Sequence, residues 1–279
     1  MTKIKSYCKI NLFLKIIGKK GNFHNIQTLS FLVNHHDEIS IIKTKNKDKI
    51  NFFGKFNKSV KKNDNSLSKT LKILRNNKLL DSKKKYKIEI NKKVPVFAGL
   101  GGGTSNAFFL VKHFLKKIPS PRIIKTLRKQ IGSDYLIFEN KQSFQSSLSK
   151  NNKTKKKFNF YFILVKPTFG CSTKKIYSQV KEYSKPTLIN FSKIKTKKKM
   201  INLLKNEKND LQNIVTMKHT SILKIINFLA NQKGCHLSRM TGSGSVCYGL
   251  FDSLKDTKKA FKNVKKMYPN YWSTITKTI

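Results

Sequence analysis

Residues 96–109, VFAGLGGGTSNAFF, gather Gly99, Gly101, Gly102 and Gly103 directly before two hydroxyls, Thr104 and Ser105, and an apolar stretch. The whole chain has only 13 glycines, so this cluster is not a product of composition. Glycine loses conformational entropy on folding, and its use is to let backbone come close to something. A helix starting behind such a loop offers unpaired N–H groups and a partial positive charge, which suits an anion and above all a phosphate. Thr104 and Ser105 are expected to cap a helix starting near Asn106, and a hydroxyl there can hold a phosphate oxygen or a magnesium ion. The loop is not GxxxxGK[ST], for want of the lysine. Nor is it GxGxxG, because Thr104 stands where the last glycine belongs.

The elements that must position this loop follow from periodicity. Cys8, Ile10, Leu12, Leu14 and Ile16 alternate with Lys9, Asn11 and Lys15, which predicts a strand with one buried face and puts Lys9 and Asn11 on the same side. Further strands are expected at 38–44, 86–91, 160–167 and 246–251. A helix is expected over 66–80 with Ser66 as its cap, and another behind the glycine loop, marked by Ala107, Leu110, Val111, Phe114 and Leu115 and stopped by Pro119 and Pro121. Two more are expected over 198–215 and 219–234, the latter ended by Gly234. Residues 146–159 are polar, lysine-rich and aperiodic, and read as a loop or a seam between domains. No internal repeat is present. The pattern is α+β in two halves of similar size.

Composition bounds the partners. The 279 residues carry a formal net charge of +47, which invites a nucleic-acid reading. Only four of the 60 basic residues are arginine (Arg75, Arg122, Arg128 and Arg239), whereas phosphate and base readers favour the bidentate guanidinium. Lysine, asparagine and isoleucine are spread along the whole chain, as AT-rich codons would produce. Cys8, Cys171, Cys235 and Cys247 have no CxxC spacing and the histidines form no HExxH, so no metal site is expected, and scattered thiols fit the cytoplasm. No apolar run approaches the length of about 18 residues that a membrane helix needs.

PVFAGLGGGTSNA (95–107) resembles the PxxxGLGGGSSxA loop of the GHMP kinases. Within that superfamily, CKINLFLKIIGKKGNFHNIQT (8–28) is similar to the opening of the 4-diphosphocytidyl-2-C-methyl-D-erythritol kinases. IGSDYLIF (131–138) resembles their IGxDVPFF, NDLQ (209–212) their NDLE, and MTGSGSVCYGLF (240–251) their MSGTGxxxFxxF. The five segments keep the family's order along nearly the whole chain. The resemblance implies a two-domain GHMP kinase fold: an N-terminal ATP-binding domain over 1–155, like ribosomal protein S5 domain 2, and a ferredoxin-like C-terminal domain over 156–279. It implies ATP-dependent phosphorylation of the 2-hydroxyl of 4-CDP-2-C-methyl-D-erythritol, with magnesium accompanying ATP.

It also implies roles, residue by residue. Asp134 matches the catalytic aspartate, a base for the accepting hydroxyl. Lys9 matches the catalytic lysine, which would orient Asp134 and offset charge on the moving phosphoryl group. By pattern alone Lys9 would be one more surface lysine. Pro95, Val96, Phe97, Ala98, Gly99, Leu100, Gly101, Gly102, Gly103, Thr104 and Ser105 would wrap the ATP phosphates, with Asn65 and Lys92 near the adenine. On the substrate side stand Asn11, the cytosine reader His24, Phe23 in the place of the usual tyrosine, Tyr177 as an opposite stacking wall, and Gly242 and Gly244. Gly21, Asn22, Phe23 and His24 occupy the family's DGYH, and DYLIF lacks the proline of DVPFF. Two alternatives stay open: another small-molecule GHMP kinase of the homoserine or mevalonate type, and a basic RNA-binding protein of S5-like fold. The expected partner is a small molecule, without specific nucleic acid or membrane, in a monomer or weak homodimer.

Overall fold

In the computed structural model, which describes residues 1–21, 23–61, 63–148 and 150–279, the alternating N-terminal segment lies in a long strand, β1 (Thr2–Lys20). It pairs with β2 (Phe23–Thr44), which takes in the strand expected at 38–44. The chain divides into two units assembled from alternating stretches of sequence. The first is Met1–Cys8, His35–Val96 and Gly101–Glu139; the second is Lys9–Asn34, Phe97–Leu100 and Asn140–Ile279.

In the first unit, β3 (Lys49–Phe53), α1 (Ser66–Asn76) and β4 (Lys85–Asn91) precede α2 (Gly102–Leu115) and α3 (Pro121–Gln130). β4 runs parallel to β3, with Ile88 beside Ile50, and antiparallel to β2, with Ile90 beside Ile39. Every second residue of β4 is buried, and Ile39, Ile41, Ile88 and Ile90 pack with Leu67, Leu71 and Leu110. Two expectations about helix starts are corrected here. The cap of α1 is Asn65 and not Ser66: its Oδ1 accepts from the N–H groups of Leu67 and Ser68, each at 3.0 Å. α2 starts at Gly102 and not near Asn106. Gly101 turns the chain into it at φ +67°, a left-handed conformation that glycine adopts without steric cost. Thr104 and Ser105 therefore lie inside the first turn instead of capping it.

In the second unit, β5 (Gln142–Ser147) pairs antiparallel with β6 (Lys150–Lys153), which lies within the 146–159 stretch where the sequence predicts a loop or seam. β5 also pairs with β2, placing Phe144 beside Leu29, a long-range pairing that a polar, aperiodic segment does not advertise. The second sheet is antiparallel throughout. Its strand β7 (Tyr161–Lys166) is buried along nearly all its length, as expected. Then come α4 (Thr173–Tyr177), α5 (Lys197–Lys205), α6 (Asp210–Thr216), α7 (Thr220–Ala230), β8 (Leu237–Met240), β9 (Cys247–Phe251), α8 (Leu254–Met267) and β10 (Trp272–Lys277). The strand order is β10–β7–β9–β8. Ile163, Val165 and Phe251 of this sheet pack with Leu211, Ile222, Ile225, Leu229, Ala260 and Val264. The single helix expected over 198–215 is two, because Asn209 caps a new start: its Oδ1 accepts from Leu211 N–H at 3.0 Å. α7 ends at Ala230, ahead of Gly234. Among the described residues no helix is long and apolar enough to cross a membrane.

Candidate active site

Lys9 and Asn11 share one side of β1, as the alternation predicts, but that side does not face water. Both faces of the strand are covered here, and Lys9 is 4% exposed and Asn11 1%. The Lys9 ammonium donates to the Gly99 carbonyl at 2.8 Å and to Asn11 Oδ1. Asn11 is held in turn: its Nδ2 donates to Thr28 Oγ1 at 2.8 Å and Ser30 Oγ at 3.0 Å, and its backbone N–H donates to Thr241 Oγ1 at 2.9 Å. A lysine tied at its tip in this way is a positioned point charge, unlike a solvated surface lysine with rotamer freedom.

Backbone packs on backbone around that charge. Gly99 has φ +73°, and a Cβ there would fall 2.1 Å from the Thr241 carbonyl oxygen. At Gly242, φ +54°, a Cβ would lie 2.8 Å from the Gly99 carbonyl oxygen, 3.1 Å from Lys9 Nζ and 3.2 Å from Asn11 Oδ1. Only glycine fits either position. The Gly244 N–H donates to the Thr241 carbonyl at 3.0 Å and closes the turn. The Ala98 carbonyl accepts from Val246 N–H at 3.2 Å and that of Phe97 from Cys171 N–H at 2.9 Å. Residues 97–100 of the glycine loop are thereby fastened to the TGSGS turn within the second unit.

In the same unit, the rings of His24 and Tyr177 meet with centroids 5.2 Å apart at 44°, and Phe23 is partly exposed at the start of β2. Tyr177, expected as the stacking wall opposite Phe23, has the His24 ring beside it. Burial, assisted by the charge of Lys19, holds the His24 imidazole below its ordinary pKa, so it is neutral at pH 7. Asn22 lies outside the described residues.

The first unit holds Pro95, Val96 and the rest of the glycine loop, Gly101–Ser105, with Asp134. A Cβ on Gly132 would lie 2.5 Å from Thr104 Oγ1 and 3.1 Å from Asp134 Oδ1, so hydroxyl and carboxylate converge on one glycine. Arg128 Nε donates to the Ser133 carbonyl at 3.3 Å. Burial lowers the Arg128 pKa from its ordinary value, opposed by the charge of Asp134. Ser105 faces inward: its hydroxyl donates to the Tyr7 carbonyl at 2.6 Å and its N–H to Gly101 at 2.8 Å. Lys92 is a buried ion pair with Asp37, whose other oxygen accepts from Lys93 and Val94 N–H at 2.8 Å. A Cβ on Gly102 would lie 3.0 Å from Lys92 Nζ, and one on Gly103 would lie 3.7 Å from Ser66 Oγ. Lys92 and the capped start of α1 at Asn65 thus both border the head of α2.

The sequence reading missed the groups that hold these residues. Thr28 and Thr241 lie within the quoted motifs, so the signal was present without a role. Asp37 had none, since its partner lies 55 positions along the chain. Among the described residues no group of three or more His, Cys, Asp or Glu could hold a metal ion.

Comparison with known proteins adds findings of three kinds: a family match, relatives in sequence and neighbours in structure. Residues 190–270 match the family model described as GHMP kinases C terminal. A 4-diphosphocytidyl-2-C-methyl-D-erythritol kinase of Pelagibacter ubique (strain HTCC1062) is 40% identical over 287 aligned positions, covering 99% of each chain. One from Wolbachia sp. subsp. Drosophila simulans (strain wRi) is 32% identical, covering 99% of this chain and all of the relative. In structure the chain is similar to a 4-(cytidine 5'-diphospho)-2C-methyl-D-erythritol kinase, with TM-score 0.71 at 16% identity and 99% of each chain covered. It is similar also to the homoserine kinase of Cytophaga hutchinsonii, with TM-score 0.66 at 16% identity, 100% of this chain and 95% of that one covered.

Proposed function

The chain belongs to the 4-diphosphocytidyl-2-C-methyl-D-erythritol kinase family and has the α+β GHMP kinase fold, and from that premise we propose how its residues divide the work. It transfers the terminal phosphoryl group of ATP to the 2-hydroxyl of 4-CDP-2-C-methyl-D-erythritol, giving the 2-phosphate and ADP, a step of the non-mevalonate route to isoprenoid precursors. The observation that carries this choice is the 40% identity along the whole chain to a relative of that name. The homoserine kinase shares the fold at 16% identity and lends no support to its own substrate. An RNA-binding role gives no reason for the glycine loop or for a buried, tethered lysine.

Phosphoryl transfer is chiefly positioning and electrostatic stabilisation. In this assignment residues 95–105 wrap the ATP phosphates, with the N–H groups at the head of α2 facing them, and Asn65 and Lys92 border the nucleotide. Asp134 accepts the proton of the 2-hydroxyl as its oxygen attacks the γ-phosphorus and ADP departs. Lys9, its charge fixed by Gly99 and Asn11, offsets the negative charge that develops. Asn11, Phe23, His24, Tyr177, Gly242 and Gly244 take the cytidine substrate. Magnesium is commonly held by one or two protein oxygens together with substrate phosphates, and the Thr104 hydroxyl is an oxygen of that kind; the ion would neutralise phosphate charge. We assign residues 1–155 to ATP binding and 156–279 to the C-terminal domain. We place the protein in the cytoplasm as a monomer or weak homodimer without a specific nucleic-acid partner.

The test is ADP release with magnesium, ATP and 4-CDP-2-C-methyl-D-erythritol, with homoserine and mevalonate in parallel. Turnover is expected with the cytidine substrate alone, and Asp134→Asn should lower kcat by about 10²- to 10⁴-fold. Turnover only with another alcohol would overturn the substrate assignment. An Asp134→Asn variant as fast as the wild type would overturn the base.

A further inference from the structure

NDLQ (209–212) is a resemblance without a task in the assignment above, yet between them its polar side chains bond two separate elements. Asn209 is 5% exposed, and its Nδ2 donates to the carbonyls of Met240 and Gly242, each at 2.8 Å. Gln212 Oε1 accepts from Met240 N–H at 3.0 Å. Asp210 Oδ2 accepts from Ile16 N–H at 2.7 Å, and the preceding Lys208 carbonyl accepts from Leu14 N–H at 3.1 Å. The segment therefore grips β1 at Leu14 and Ile16, and it grips the chain entering the TGSGS turn at Met240 and Gly242. Lys9 belongs to that strand, and a Cβ on Gly242 would lie 3.1 Å from its ammonium, so the turn leaves no room for a side chain there. A clamp across these two elements sets the spacing between the strand that carries the charge and the backbone that walls it in.

We propose that Asn209 is a positioning residue for the reaction: its amide holds the Gly242 turn against Lys9, and with it the aim of the Lys9 ammonium. This rests on the assignment of Lys9 above. The amide group suits the task because its two ends do different work. Nδ2 supplies two N–H donors to two carbonyls, while Oδ1 caps α6. A buried carbonyl pair satisfied by one amide is costly to leave unpaired, so the turn cannot leave its place freely.

That split makes the proposal testable. Asn209→Asp keeps the cap acceptor and removes both donors; Asn209→Ser, also a good cap, gives the same comparison where the carboxylate variant does not fold. Thr196→Ala, which removes the cap of α5 and no bond of the clamp, is a control for lost stability. The measurements are Tm, kcat and KM for ATP and the cytidine substrate, and the acetylation rate of Lys9 relative to Lys92 by acetic anhydride and peptide mass spectrometry. The expected result is a kcat lowered by about 100-fold, the scale of a 1 Å misplacement, with KM for ATP unchanged. Acetylation of Lys9 should accelerate while Lys92 stays protected. Thr196→Ala should keep its kcat per folded molecule. A wild-type kcat in the Asn209 variants overturns the proposal, and so does parallel acceleration at Lys9 and Lys92, which would mean general loosening. The acetylation result does not depend on the substrate. A wild-type enzyme inert toward the cytidine compound would therefore sink the functional assignment and leave the clamp to be judged by Lys9 alone.

Discussion

Adding one methyl group at Gly99 and one at Gly103 should move stability in opposite directions, although the two lie four positions apart in one loop. Gly99 sits at φ +73°, where an L-residue with a Cβ costs about 1–2 kcal/mol. The added carbon would also fall 2.1 Å from the Thr241 carbonyl oxygen, far inside contact distance. That obstacle is backbone, so the whole turn must shift, and overpacking of this kind costs about 1–3 kcal/mol more. Gly103 lies inside α2 with ordinary helical φ, and the nearest atom to its added Cβ is Ser66 Oγ at 3.7 Å. Alanine is preferred over glycine by about 0.8–1.0 kcal/mol in a helix interior, and by less so near the end. Gly99→Ala is therefore expected to lose about 2–5 kcal/mol and Gly103→Ala to match or exceed the wild type, by urea unfolding followed by circular dichroism. Activity should not follow stability. Gly103 is exposed at the head of α2, so its methyl should raise KM for ATP in a protein that is no less stable. A Gly99→Ala variant as stable as the wild type would refute the packing of the loop on the TGSGS turn. An unchanged KM for ATP in Gly103→Ala would refute phosphate binding at the first turn of α2.

Two further predictions concern buried charge and pH. Asp37→Ala leaves the Lys92 ammonium buried without its carboxylate and two backbone N–H groups without their acceptor. It should cost about 3–5 kcal/mol in urea unfolding, and a loss below 1 kcal/mol would show the pair to be solvated. His24 has its pKa lowered from 6.5, so its neutral form is favoured in the folded state; that contribution is present above pH 6.5 and is lost as pH falls through the lowered value. KM for the cytidine substrate should be flat above pH 6.5 and rise below it, and His24→Gln should flatten the rise. A KM that improves on acidification would mean that the imidazolium binds.

The glycine loop, β1 and the buried strand at β7 were legible in the sequence because each is written in neighbouring residues. Alternation sets the side of a strand, and a cluster of glycines marks backbone that must come close. The start of α2 was misplaced because Thr104 and Ser105 have the composition of caps, whereas the left-handed turn at Gly101 decides where helical geometry begins. The β5–β6 pair was hidden because β5 is held by β2, more than a hundred positions upstream, and the short polar strands QSFQSS and KNNK carry little apolar pattern.

Lys9 marks the boundary most clearly. The sequence by itself determined that Lys9 and Asn11 lie on one side of a strand, and only the resemblance to the family's motifs singled Lys9 out from the other lysines. Only the tertiary structure decided that this side is buried and that the ammonium is tied to Gly99, 90 positions away. The physical reason is range: side-chain alternation and glycine's freedom act within a few residues. The burial of a charge and the partners that make it tolerable depend on segments that meet only when the chain has folded.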